Sequence, residues 1–226
     1  MRFPLVCQGL LRAQEFLSAT TQVTNSTILT SENTISWNGR TPGILKGMYY
    51  PFEYQHLLDR HQYSTLLSDG SFFQFYYRFD SAGDLLKGRL AYYPKPLSTT
   101  DDQEDLSIGA ENALERMDED LFDHLYNWVE VMEIHGKNPS NTSHVRFDFD
   151  RSVTSHCQSH IQLSGIQELR IPASIFPLPL AFVQLCANLL PGVGSIESNT
   201  LGLEKNHYLA LTRPPELICL NGASLT

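Results

Sequence analysis

The segment 144–150 carries the residue types from which a binding or catalytic site can be built. It reads His-Val-Arg-Phe-Asp-Phe-Asp. Side chains alternate between the two faces of a β-strand, so a strand here places Val145, Phe147 and Phe149 on one face. The other face then carries an imidazole, a guanidinium and two carboxylates, from His144, Arg146, Asp148 and Asp150. We predict that the apolar face belongs to the core and that the polar face is a candidate site.

Three arginines predict that this site binds phosphate. Arg146 lies on the strand just described, and Arg78 and Arg89 lie on the second and third strands of a meander predicted for residues 63–93. If these strands join one sheet, the three guanidinium groups can converge. Arginine recognises phosphate with two parallel hydrogen bonds, which makes a phosphate-containing ligand the predicted partner of such a cluster.

Two histidines add acid–base chemistry to the same prediction. His160 begins a strand predicted for about residues 160–164, as a partner of the strand that carries His144. One imidazole can take a proton while the other gives one, and a nearby cation can stabilise the charge of the transition state. We therefore predict that His144 and His160 are the catalytic acid and base and that Asp148 orients a histidine. This is the minimum for metal-free phosphodiester cleavage.

Two other interpretations of these residues stay open. The polar face can be the solvated outer surface of an antiparallel sheet, with pairs between Arg146 and a neighbouring carboxylate. It can also supply metal ligands, from His144, Asp148, Asp150, His156 and His160. That spacing matches no established metal motif, so we predict no metal and no other cofactor.

The composition is that of an ordinary globular protein. Of 226 residues, 42% are hydrophobic and 18% are charged, which suits one large domain or two small ones. Four cysteines are scattered without a Cys-x-x-Cys pair, which predicts free thiols. No run of apolar residues is long enough to span a membrane. We predict a cytoplasmic protein with no membrane partner.

The order of predicted elements indicates an α+β fold. An amphipathic helix over the first 16 residues and a hairpin at 27–37 precede a short helix at 51–61. The three-strand meander, a helix at about 118–134 and the strands near His144 and His160 follow. We expect an antiparallel meander sheet of about five to seven strands with helices packed on one face. Residues 1–190 are predicted to form a single domain, and residues 191–226 a C-terminal extension that could close as a hairpin.

The net charge of −9 comes from one segment. Residues 101–123 hold ten acidic residues and Arg116 alone as a base, whereas acids and bases balance in the rest of the chain. Acidic segments can neutralise a basic surface of a partner protein and steer association. The predicted partner-binding residues are the acids of this segment, Asp101, Asp102, Glu104, Asp105, Asp118, Glu119 and Asp120.

Several motifs together resemble a known family. They are the 144–150 segment, His156-x-x-x-His160, Arg170-Ile-Pro172 with a Pro-led apolar helix, Ser71 to Asp80 and Tyr92-Tyr-Pro94. Over about residues 45–190 the chain is similar to a prokaryotic family of unknown function found in mobile-element and defence-type gene neighbourhoods. The resemblance implies a bacterial cytoplasmic protein of an antiphage or toxin–antitoxin module. It implies no catalytic residues.

Two functional hypotheses follow. The first is a ribonuclease-like or nucleotide-binding effector of such a module, which acts on RNA or a nucleotide through its polar sheet face. The alternative is a non-catalytic subunit that binds a larger effector protein, encoded in the same operon, through its acidic segment 101–123.

Overall fold

An antiparallel meander in the middle of the chain organises the fold. The computed structural model describes residues 1–41, 50–96, 103–135, 143–154, 157–163, 170–186 and 208–210. The meander consists of β4 (Thr65–Leu67), β5 (Phe72–Phe79) and β6 (Leu85–Tyr93), with turns at the two predicted breaks. The strands are rich in aromatic residues, which favour extended backbone, and they confirm the prediction.

Strands from both sides extend the meander into a larger sheet. Earlier in the chain come β1 (Thr21–Thr24) and the hairpin of β2 (Ser26–Leu29) and β3 (Thr34–Trp37), which pairs with β5. Later come β7 (Val145–Asp150), β8 (Ser159–Leu163) and β9 (Ile171–Pro172). The order is β1-β4-β5-β6-β7-β8-β9, and all pairs are antiparallel. The α+β class is confirmed; within the described residues this sheet has nine strands, because short strands at its margins add to the expected five to seven.

The first face of the sheet carries the main hydrophobic core. Two helices cover it, α1 (Phe3–Leu17) and α5 (Pro179–Cys186). The core contains Val6, Leu10, Phe73, Phe75, Tyr77, Leu90, Phe147, Phe149 and Phe182. Each fully buried side chain of this size stabilises the fold by roughly 1.5–3 kcal/mol relative to an exposed one. Phe147 and Phe149 of the predicted apolar face of segment 144–150 therefore belong to the core, whereas Val145 is half-buried.

A third helix covers part of the second face of the sheet. This corrects the expectation that helices pack on one face. α2 (Tyr50–Asp59) lies against this face, where Tyr50 and Tyr54 pack on Phe72 and Tyr93. The rings of Phe72 and Tyr93 stack with their centroids 4.8 Å apart. These aromatic residues lie on the face opposite the main core, so a separate helix has to shield them from water. Beyond α2 this polar face carries the charged residues of β6, β7 and β8.

The acidic segment folds as a helical hairpin. α3 (Gln103–Glu115) and α4 (Glu119–His135) pack chiefly against each other, around Leu106, Ala110, Ala113 and Val129. α4 matches the predicted helix at 118–134, whereas α3 was not predicted because its apolar positions are few. None of the helices among the described residues has the length and apolar character needed to cross a membrane.

The C-terminal extension contributes one described strand. β11 (Tyr208–Ala210) pairs antiparallel with β10 (Ile175–Pro177), in a small separate sheet. The second strand of the expected closing hairpin lies outside the described residues, and so does most of the extension.

A glycine in β6 allows close packing between the sheet and β10. A Cβ atom added to Gly88 would lie 2.4 Å from ring atoms of Phe176. Because that distance is far below van der Waals contact, we expect Gly88→Ala to lower the free energy of unfolding by roughly 1–3 kcal/mol. Urea unfolding measures this change. The loss should shrink in a Phe176→Leu background; an equal loss in both backgrounds contradicts the packing described.

Candidate functional site

The register of the sheet brings four predicted site residues onto one face. Asp148 of β7 pairs with Arg89 of β6 on one side and with His160 of β8 on the other. Arg146 lies two residues before Asp148, opposite Gln162 of β8. Since side chains two residues apart share a face, Arg89, Arg146, Asp148 and His160 all belong to the polar face.

One carboxylate lies between two guanidinium groups. Arg89 donates from Nε to Oδ1 of Asp148 at 2.8 Å, and Arg146 donates from Nε to Oδ2 at 2.8 Å. Arg146 also donates from Nη2 to the side-chain oxygen of Gln162. Nε2 of His160 lies 4.0 Å from Oδ2 of Asp148. We refer to Arg89, Arg146 and Asp148 as the arginine–carboxylate cluster.

The cluster is largely withdrawn from water. The exposed fractions of the side chains are 25% for Arg89, 10% for Arg146 and 17% for Asp148. Burial alone would raise the pKa of Asp148, but Arg146 and Arg89 outweigh it, and the pKa lies below its ordinary value. Burial likewise opposes the charge of Arg89, but Asp148 outweighs it and raises the pKa of that guanidinium. Asp148 and Arg89 are therefore both charged at neutral pH.

Both arginines bind Asp148 through Nε, so terminal nitrogens remain available. Neither Nη atom of Arg89, nor Nη1 of Arg146, makes a hydrogen bond to another described residue. An arginine has five N–H donors, and partly buried donors gain by meeting an acceptor. The cluster can therefore bind an anion while its internal ion pairs stay intact.

The two proposed catalytic histidines occupy different parts of the polar face. His144 directly precedes β7, whereas His160 is aligned with Asp148. His144 lies four residues of extended chain before Asp148, which corresponds to roughly 13 Å along the strand. One phosphate group cannot bridge that distance, so the structure does not bring the pair together.

His144 instead contacts a carboxylate that the sequence did not indicate. Its Nδ1 lies 3.3 Å from Oε2 of Glu53 in α2, and Tyr93 donates from its hydroxyl to Oε1 of Glu53 at 3.2 Å. The His144 contact is an ion-pair distance without the alignment of a hydrogen bond. The ring of Tyr93 lies 4.9 Å from that of His144. Only the docking of α2 on the sheet creates this group, and no local motif marks Glu53.

Arg78 lies outside the cluster. It is exposed and stands opposite Lys87, which lies two residues before Arg89 in β6. At that level Lys87 pairs with Asp150, with Nζ and Oδ2 separated by 2.9 Å. The structure thus brings together two of the three predicted phosphate-binding arginines.

The predicted partner-binding acids lie at helix ends of the hairpin. Glu104 and Asp105 are in the first turn of α3, and Glu119 and Asp120 are in the first turn of α4, where carboxylates are favoured by the helix dipole. Asp118 accepts a hydrogen bond from the backbone N–H of Leu121 at 3.1 Å, as an N-cap does. The remaining two predicted acids, Asp101 and Asp102, lie outside the described residues.

The metal-ligand interpretation finds no support in the described part of the chain. Among those residues no three His, Cys, Asp or Glu side chains are grouped as a metal site requires. His156 lies outside the described residues. Two of the described cysteines, Cys7 and Cys186, are free thiols.

Comparison with known proteins places the chain in a family. Residues 17–189 match a family described as "Uncharacterized conserved protein (DUF2290)". The chain belongs to this family. The match spans every strand from β1 to β10, and it includes the arginine–carboxylate cluster. No curated protein and no solved structure matches the chain.

We expect Asp148→Asn to lower the free energy of unfolding at pH 7 by roughly 2–3 kcal/mol. The variant leaves two guanidinium groups without their carboxylate, and partial exposure makes the loss smaller than for a fully buried pair. Because the pKa of Asp148 is lowered in the folded protein, its contribution is complete at neutral pH, begins to decline at about pH 4, the ordinary pKa of a carboxyl group, and is lost as the pH falls through the lowered pKa. The difference in unfolding free energy between wild type and variant should therefore be smaller in acid than at pH 7.

Urea unfolding at pH 7 and at pH 3 measures both effects. Asp150→Asn is the matched control, because Asp150 pairs with the half-exposed Lys87 and should cost about 1 kcal/mol at most. Equal losses for the two variants at pH 7 would show that the cluster has no special stability.

Proposed function

We propose that this protein binds a phosphate-containing ligand, a nucleotide or RNA, at the arginine–carboxylate cluster. The observation that carries the proposal is that two guanidinium groups share one carboxylate and keep free Nη donors. The cluster holds one more positive charge than negative charges. An anion that meets these donors removes the excess charge and satisfies the hydrogen bonds at the same time.

The geometry of the ion pairs favours a ligand site over a purely structural pair. A structural arginine–carboxylate pair is commonly bidentate, with two parallel hydrogen bonds between one guanidinium and one carboxylate. Here each oxygen of Asp148 binds a different arginine, through Nε alone. Asp148 thus orients both guanidinium planes while it leaves their ends available.

The two histidines take different roles in this binding site. His160 lies at the level of Asp148, where its imidazole can touch a ligand of the cluster. His144 lies beside Glu53 at the border of α2, too far from His160 for the two to share one phosphate. We place the ligand-binding protein in the bacterial cytoplasm, as a component of an antiphage or toxin–antitoxin module.

Isothermal titration with 5′-AMP in low-salt buffer tests the proposal. We expect Arg89→Ala and Arg146→Ala each to weaken binding by about tenfold or more, since each removes a charge-assisted hydrogen bond of roughly 1.5–3 kcal/mol. Arg78→Ala is the matched control, because it removes an exposed arginine of the same face and should retain nearly full affinity. Equal effects at all three positions would indicate only a general attraction between charges, and no binding by the wild type would reject the proposal.

The helical hairpin supports a second candidate function, the binding of a basic protein partner. Its surface combines many carboxylates with large apolar side chains that are exposed to solvent. Met117, at the turn between α3 and α4, is 89% exposed. The others are Ile108, Leu114, Leu121, Tyr126 and Ile134. Exposed apolar side chains within a charged surface are typical of protein interfaces, and the acidic residues favour a partner with basic charge.

Co-purification with the protein encoded beside it in the genome tests this second function. We expect a complex that weakens with added salt and that the double variant Glu119→Lys/Asp120→Lys weakens by tenfold or more, because the attraction is electrostatic. Glu15→Lys, at an exposed position of α1, is the control. Absence of a complex, or equal weakening by the control, would reject the hairpin as the binding surface.

A further inference from the structure

A third arginine, from a loop, stands over the same face of the sheet. Arg40 follows β3, and its guanidinium carbon lies 3.7 Å from the ring centroid of Tyr76. Tyr76 pairs directly with Arg89 across β5 and β6. Arg40 therefore stands beside Arg89, on the side away from Asp148. The local sequence does not predict this position of Arg40, because the preceding Asn-Gly turn does not fix the direction of the chain that follows it.

A buried glutamine fixes the loop that carries Arg40. The side-chain oxygen of Gln62 accepts hydrogen bonds from Nε1 of Trp37 at 3.2 Å and from the backbone N–H of Thr41 at 2.9 Å. Its amide nitrogen donates to the backbone oxygen of Gly39 at 2.9 Å. The residues on both sides of Arg40 are thus held before any ligand binds, which lowers the entropic cost of binding.

The charge of Arg40 has no partner of opposite sign within the described residues. No carboxylate of that part lies within salt-bridge distance of its guanidinium, and its Nε is buried without a hydrogen-bond acceptor. Burial lowers the pKa of Arg40, Tyr76 partly offsets this, and Arg89 lowers the pKa further. Arg89, in contrast, is stabilised by Asp148. A partly buried cation next to a second cation is unfavourable unless an anion joins them.

Three guanidinium groups and one carboxylate leave an excess of two positive charges. The excess stays positive when the carboxylate of Glu53, which acts on Arg89 from further away, is counted as well. A terminal phosphate group carries up to two negative charges and three free oxygens. An internal phosphodiester carries one negative charge and two free oxygens. The number of donors and the charge both match the terminal group better.

We propose that Arg40, Arg89 and Arg146 form a three-arginine site for a terminal phosphate monoester, as in a nucleoside monophosphate or a phosphorylated RNA end. This inference rests on the proposed phosphate-binding function and specifies its ligand class. Arg40 contacts the phosphate directly, and the ring of Tyr76 supports its guanidinium through a cation–π contact.

Calorimetric titration of the full chain with 5′-AMP and with 3′,5′-cyclic AMP tests the inference, since the two differ in having a monoester and a diester. We expect the wild type to bind 5′-AMP at least tenfold more tightly than it binds 3′,5′-cyclic AMP. Arg40→Gln should weaken 5′-AMP binding by about tenfold and remove most of the preference over the cyclic diester. Arg40→Lys should recover only part of the loss, because it keeps the charge without the planar donors. Arg78→Gln should leave both affinities unchanged.

The outcomes separate the inference from the function on which it rests. If Arg40→Gln binds 5′-AMP as the wild type does, while Arg89→Ala and Arg146→Ala do not, the role of Arg40 is wrong and phosphate binding stands. Equal wild-type affinity for the monoester and the diester overturns the assignment of ligand class. Failure of the wild type to bind either compound overturns both. Thermal unfolding of each variant shows whether a loss of binding reflects a loss of fold.

Discussion

The carboxylate of Asp148 holds the candidate site together, because both arginines of the cluster are positioned by it. Each of its oxygens accepts a hydrogen bond from a different guanidinium. Through Arg89 and its alignment with His160, the same residue connects the polar side chains of β6, β7 and β8. A single negative charge between two positive ones is stable only if the geometry is held and further acceptors are present. Gln162 supplies one such acceptor for Arg146, and we propose that the ligand supplies the others.

The two faces of the sheet explain where this cluster can exist. On the first face aromatic residues of alternating positions pack under α1 and α5, and this packing fixes the register of the strands. The same register then aligns the charged residues on the second face. There α2 covers the apolar end, around Phe72 and Tyr93, and the arginine–carboxylate cluster begins where that cover stops. The cluster is therefore partly shielded from water, which strengthens its electrostatic interactions, and it remains exposed enough for a ligand to reach it.

Residue alternation was sufficient to predict the shared face of Arg89, Arg146, Asp148 and His160, because strand geometry is a local property. Which of those residues meet depends on register, and register is set by pairing across the whole sheet. For that reason the separation of His144 from His160, and of Arg78 from the cluster, could not be predicted. The sequence could not predict the contribution of Glu53 and Arg40 to this face for a related reason. Their positions result from the docking of α2 and from the loop bound by Gln62, which are tertiary contacts between distant segments. The second helical layer was missed because Phe72, Ala91 and Tyr93 are few among the polar residues of that face.

The central claim is that these guanidinium groups form an anion site, and arginine side-chain NMR tests it most directly. Inorganic phosphate would be titrated into protein labelled with ¹⁵N while the Nε–H resonances of the arginines are followed. We predict saturable shifts for Arg40, Arg89 and Arg146 with one common dissociation constant, and little change for the exposed Arg78. Shifts that grow without saturation, or that are as large for Arg78 as for the other three, would contradict it.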